Sequence, residues 1–237
     1  MDYDNVAVRL LNILNKGREV PNHVNCREAW SKLLGVKDNS ELYYRLGIVM
    51  GMPTILAQEV EDLFPAQKKP VDYIKNRLNN AFNAQNLNAQ WNSFIHSIDD
   101  HTITYLEILA DLLETQNRNK LLDDEEVNRV LENLKSVCDE VISTNMDSDL
   151  KKYLLRKIRS LISSIEEYQL TGINNIVDSL DSSIGHLVTN KNYRDFVQDT
   201  DLGKRVMDAI SLTASIITIA IGAPEIAYSL NLLLEAK

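Results

Sequence analysis

The chain has 237 residues, 44% of them apolar and 25% charged, with a formal net charge of -9. That apolar share can build a core without disulfide or metal staples, and eight Gly and five Pro are too few for a turn-dense β fold, so an all-α protein is expected. The negative charge repels phosphate backbones and excludes general nucleic-acid binding as a leading function.

Two cysteines, Cys26 and Cys138, stand far apart with no CxxC spacing, which points away from zinc or disulfide frameworks and toward a reducing compartment. The opening MDYDNVAVRLLNILNKG has aspartates where a signal peptide carries basic residues, so a cytoplasmic location is expected.

Apolar spacing predicts a first helix over Asn5 to Lys16, with Val6, Leu10, Ile13 and Leu14 on one face and Gly17 at its end. After Pro21, NCREAWSKLLG reads as a short helix capped by Asn25, with Glu28 at the capping-box position, Trp30, Leu33 and Leu34 inward, and Gly35 as the stop. A third helix is expected from Ser40 to Gly51, and a fourth opening at Pro53 and stopping before Pro65. These four make an expected domain over residues 1–65, closed by PAQKKP, whose prolines bracket a polar run.

Residues 70–188 read as a second domain, a bundle of long antiparallel helices. Trp91, Ile95, Ile98, Thr102, Tyr105, Leu109 and Leu112 recur in steps of four and three, predicting one helix from Asn88 to Gln116, about 43 Å long at roughly 1.5 Å per residue. Asp123 with Glu126 opens the next helix, which runs to about Ser143; TNMDSD is the turn. A further helix carries Leu154, Ile158, Leu161 and Ile165 inward to Gly172, and INNIVDSLDSSIGHLV follows as another. Residues 189–201 lose the periodicity and read as a linker.

The last segment, residues 202–237, contains AISLTASIITIAIGAPEI, free of charge between Asp208 and Glu225. A membrane span needs about 20 apolar residues, and Ala209 to Ala223 covers only about 22 Å before Pro224. Two packed helices are therefore expected, Leu202 to Ile221 and Pro224 to Glu235, forming an apolar carboxyl-terminal hairpin. Ser211, Ser215, Thr218 and Gly222 make a stripe of small residues that, with Ile217 and Ile221, is the candidate helix-packing or oligomer interface. Burial in protein is favoured over lipid insertion, which stays as the alternative of a membrane-disrupting effector.

The basic cluster Lys151, Lys152, Arg156, Lys157 and Arg159 runs against its helix dipole. Folding back at TNMDSD predicts pairing of Asp139 and Glu140 with Lys151 and Lys152, and of Glu132 with Arg156 or Arg159, which would set the register of the hairpin. In HSIDDH, His96 and Asp100 are four apart, but no third ligand follows at helical spacing, so no metal site is expected. Phosphate-loop, dinucleotide, hydrolase-elbow and zincin motifs do not occur, and no catalytic residue or cofactor is assigned.

Arg18 to His23, REVPNH, resembles the R-x4-H motif of the all-α HEPN ribonucleases, which implies a remote nuclease reading. Glu19 and Pro21 depart from that pattern. More of the chain is similar to uncharacterised bacterial helical proteins: Leu150 to Leu187 matches a leucine-rich helix ending in a tyrosine and glycine, followed by a helix closing on Ile-Gly, and AWSKLLGV and YRLGIVMGMP match their amino-terminal part. The setting of such proteins among mobile-element and phage-defence genes implies an accessory or immunity-type role. The sequence as a whole thus predicts an elongated, all-α, non-enzymatic module that binds a protein partner and itself as a homo-oligomer.

Overall fold

A computed structural model describes residues 3–116 and 119–222, without the side chains of residues 186–188. Among the described residues every extended element is helical: twelve α-helices, one 3-10 turn and no strand. The chain divides into two compact units, Tyr3–Arg118 and Asn119–Lys237.

The first unit contains α1 (Val6–Glu19), α2 (Cys26–Leu33), α3 (Asn39–Leu63), α4 (Lys68–Ala84), α5 (Asn92–Ile95) and α6 (Asp100–Glu114). Its centre is aromatic. Trp30, Trp91 and Phe94 are fully buried, with Trp30 meeting Trp91 edge-on at 5.1 Å and Phe94 at 4.9 Å. Each indole N–H is satisfied, Trp30 donating to Gln85 Oε1 at 2.8 Å and Trp91 to the Gly17 carbonyl at 2.7 Å, as burial requires. A Cβ at Gly17 would lie 3.2 Å from Trp91, so the residue expected only to end α1 also makes room for an indole.

Three expectations are corrected in this unit. The helix predicted over Asn88 to Gln116 is broken into α5 and α6, because Asp99 takes an extended conformation and caps α6, accepting from the Thr102 N–H at 2.9 Å and its hydroxyl at 2.7 Å. The same carboxylate accepts from the Tyr73 hydroxyl at 2.5 Å and Arg77 Nη2 at 2.6 Å, tying α4 to the break. The stop predicted at Gly51 and restart at Pro53 are a single helix, α3, with Pro53 inside it. Leu42, Leu46, Val49, Met52, Leu56 and Val60 form one buried seam through the proline, and that burial offsets the one backbone bond proline removes. PAQKKP, predicted as a boundary, lies within this unit: Pro65–Gln67 form the 3-10 turn, and Pro70 sits in the first turn of α4, where a missing N–H costs nothing.

The second unit contains α7 (Asp124–Ser143), α8 (Ser148–Glu166), α9 (Tyr168–Thr171), α10 (Ile173–Thr189), α11 (Lys191–Asp199) and α12 (Asp201–Ile221). Helices α7 and α8 form the expected hairpin, burying Val130, Leu134, Val137 and Val141 against Leu154, Ile158, Leu161 and Ile165. The predicted linker 189–201 is corrected to α11: Asn190 caps it, accepting from the Tyr193 N–H at 3.1 Å, and Tyr193 and Val197 bury one turn apart. At the next corner Thr200 caps α12, accepting from the Gly203 N–H at 2.9 Å. A Cβ on Gly203 would run into the Phe196 carbonyl. The second arm of the expected apolar hairpin, Pro224 to Glu235, lies outside the described residues.

Two measurements check this account. Burial works against ionisation of Asp99, but hydrogen bonds from Tyr73, Thr102 and Arg77 outweigh it and hold the carboxyl well below the usual range. A lowered native pKa supplies stability that is complete above the unfolded value, near 3.9, and is lost as pH falls toward the native one. Asp99→Asn should therefore lower the melting temperature by several degrees at pH 7, and the gap to wild type should close as acid titration proceeds below about pH 4. Gly203→Ala should cost about 3 kcal/mol or more in denaturant unfolding, because backbone, not a movable side chain, occupies the space.

Candidate interaction site

Helix α12 is the apolar run singled out in the sequence, and its surroundings are one-sided. Val206, Ile210, Thr213, Ala214, Ile217 and Ala220 are buried in the second unit. The Thr213 hydroxyl donates to the Ala209 carbonyl at 2.9 Å, which lets a polar residue sit in that core. The stripe of small residues faces the other way: Ser215 and Gly222 are exposed, and Ser211 and Thr218 half-buried. Ser215 is satisfied by its own helix, donating to the Ser211 carbonyl at 2.8 Å. Of the isoleucines expected beside the stripe, Ile217 belongs wholly to the core and Ile221 is half-buried. Ile219, which the interface reading omitted, is 71% exposed.

The carboxyl end of α12 meets the segment that opens the second unit. The Lys120 N–H donates to the Ala220 carbonyl at 2.9 Å, satisfying an acceptor the helix end leaves open. The Leu122 N–H donates to the Tyr168 hydroxyl at 3.1 Å, so Leu122 turns inward and Leu121 outward, 41% exposed. Between this segment and α12 lies a cavity of about 160 Å³ lined by Leu121, Leu122, Ile216, Ile219, Asp123 and Glu126, among others. Asp123 also caps α7, accepting from the N–H groups of Glu125 at 3.0 Å and Glu126 at 3.1 Å. An apolar floor thus stands beside an acidic first turn, Asp124, Glu125 and Glu126. The arrangement suits an apolar side chain with basic neighbours; it brings together no nucleophile and base. The sequence missed it because Leu121 and Ile219 are far apart in the chain and their pairing depends on one backbone hydrogen bond.

The predicted charge pairing of the hairpin is replaced by other contacts. Lys151 Nζ donates to the carbonyls of Ile142 at 2.6 Å and Thr144 at 2.9 Å, closing the open end of α7. A cation there complements the α7 dipole, while Asp147, accepting from the Asp149 and Leu150 N–H groups, caps α8. Lys152 pairs with Asp149 at 3.8 Å on its own helix, and the Arg156 guanidinium lies over the Tyr153 ring at 5.6 Å. Glu140 pairs with Arg205 of α12, and Lys135 with Glu166 at 2.7 Å; Asp139 is exposed.

The other motifs are dispersed. His96 closes α5 and Asp100 opens α6, so their spacing of four does not make one helical face. Arg18 near the end of α1 is tied to Asp100 at 3.0 Å and to the Ile98 carbonyl at 3.1 Å, while His23 lies in the exposed turn beyond Pro21. Among the described residues no group of three metal-ligating side chains occurs, and no helix is long and apolar enough to cross a membrane. Compared with known protein families, with curated proteins and with solved structures, the chain matches none.

Carbonyl capping by Lys151 predicts a clear ranking. Lys151→Ala should destabilise the protein by about 1 kcal/mol in chemical denaturation, whereas Asp139→Ala should leave the midpoint unchanged.

Proposed function

We propose that the chain is a non-enzymatic protein-binding module, and that its second unit receives an apolar side chain of a protein partner in the groove between Lys120–Asp123 and α12. The observation carrying this reading is Ile219, the most exposed large apolar side chain among the described residues, standing on the rim of a groove with Leu121, also exposed, lining it too. Burying such side chains would contribute about 1.5 to 3 kcal/mol each. The acidic first turn of α7 complements a partner segment that carries lysine or arginine around its apolar anchor. The resemblance of Leu150 to Leu187 to bacterial helical proteins supports a setting for such binding, an immunity-type or phage-defence accessory role in the cytoplasm.

The test begins with affinity capture from the bacterial host and ends with titration of the purified partner. Ile219→Asp combined with Leu121→Asp should weaken binding at least about tenfold and leave the melting temperature unchanged, since both side chains are exposed. Equal affinity of the double variant would overturn the assignment of the groove. Depolarisation of host membranes by expressed protein would instead favour the membrane-disrupting alternative.

A further inference from the structure

We propose that the first unit pairs with a second copy of this chain through the outward face of α3, the two helices running antiparallel. This surface is separate from the groove of the second unit, and the proposal does not rest on that groove.

The inward side of α3 is the seam from Leu42 to Val60. At about 100° per residue, Tyr43, Tyr44, Gly47, Met50, Gly51 and Ile55 fall within an arc of about 140° on the opposite side. Four of them, Tyr43, Tyr44, Met50 and Ile55, are among the nine large apolar side chains exposed in the described residues, at 52%, 57%, 41% and 45%. So much apolar surface within little more than three turns of one helix is a patch, not scatter.

The two glycines are what the unit itself does not account for. Each costs roughly 0.5 to 1 kcal/mol relative to alanine inside a helix. A Cβ added at Gly47 or Gly51 would meet nothing within 4 Å, and neither has a positive φ. Gly17 and Gly203, by contrast, are pressed by Trp91 and by the Phe196 backbone. Glycines four apart on an open helix face permit another helix backbone to approach closely.

Charge selects a second copy as the occupant. At the amino end of the face, Arg27 lies over the Tyr43 ring at 5.5 Å and donates to its hydroxyl at 2.8 Å, and Lys37 is exposed nearby in sequence. At the carboxyl end Glu61 and Asp62 are exposed in the last turn, where negative charge opposes the helix dipole. A two-fold axis near the glycines places the basic end of each copy on the acidic end of the other, so one arrangement relieves both ends. It also sets the two helix dipoles antiparallel. A parallel pairing would bring like charges together.

Sedimentation velocity on the full chain tests this directly. Wild type should form a dimer with a dissociation constant in the micromolar range or tighter. Gly47→Gln with Gly51→Gln should weaken the dimer at least about tenfold, and because each replacement is a better helix former in open space, the monomer should unfold at the same or a higher denaturant concentration. Two charge variants, Glu61→Lys with Asp62→Lys and, separately, Lys37→Glu, should each self-associate weakly, while an equimolar mixture of the two should recover dimers. A monomeric wild type at about 100 µM, well above such a constant, would overturn the proposal. So would dimers untouched by the glycine replacements, or a mixture no better than its components.

Discussion

The closest approach between backbone segments in the second unit is at Gly203, and the placement of α12 depends on it. Thr200 joins α11 to α12 with almost no connecting chain, its hydroxyl both donating to the Phe196 carbonyl at 2.8 Å and capping the new helix. A corner that tight is possible only if the first turn of α12 carries no Cβ where it passes Phe196. Once Gly203 is seated, the rotation of α12 is set: Val206, Ile210, Thr213, Ile217 and Ala220 follow inward at three- and four-residue steps, and Ser215 and Ile219 are left outside. The axial position is set too, since the helix ends where its Ala220 carbonyl meets Lys120. The groove is therefore a downstream consequence of one missing methyl group.

Asp99 has the corresponding role in the first unit. Four hydrogen-bond donors converge on its carboxylate from α4 and from the start of α6. The energy of a charged acceptor satisfied several times over exceeds what three more residues of helix would contribute, so the chain turns there. The turn allows Trp91, Phe94 and Ile95 to enter the aromatic core by a separate short helix.

Much of the helical content was legible because polar residues that end helices are written into the chain. Asn5, Asn25, Asp38, Asp123 and Asp147 each cap a helix with a side-chain oxygen, and the buried seams of α7 and α8 follow the spacing of their leucines, isoleucines and valines. What misled were residues that act both locally and at long range. Pro53 punctuates a sequence but is carried through by a buried seam on either side of it. Asp99 looks like solvent-facing polarity until Tyr73 and Arg77 are brought to it. The register of α7 on α8 depends on Lys151 reaching carbonyl groups, and backbone acceptors have no letter in a sequence. The candidate site was half legible: the apolar run marked α12, but which of its sides faces out follows from Gly203, whose constraint is visible only against Phe196.

The two helices with the broadest apolar circumference, α3 and α12, share a further property. A helix apolar around most of its circumference is stable only when most of that circumference is covered. Each is covered along one side within its own unit, leaving Tyr43, Tyr44, Met50 and Ile55 on α3, and Ile219 on α12, in contact with water. Elsewhere the helix ends are satisfied locally by caps, so the units do not need these faces to remain folded. Small residues accompany the exposed apolar ones in both cases, Gly47 and Gly51 on α3, Ser211 and Ser215 on α12, and small residues lower the steric barrier to another backbone without adding stability to an isolated fold. Apolar surface that the fold does not require, set beside side chains that make close approach possible, is the physical argument for binding over catalysis in this chain.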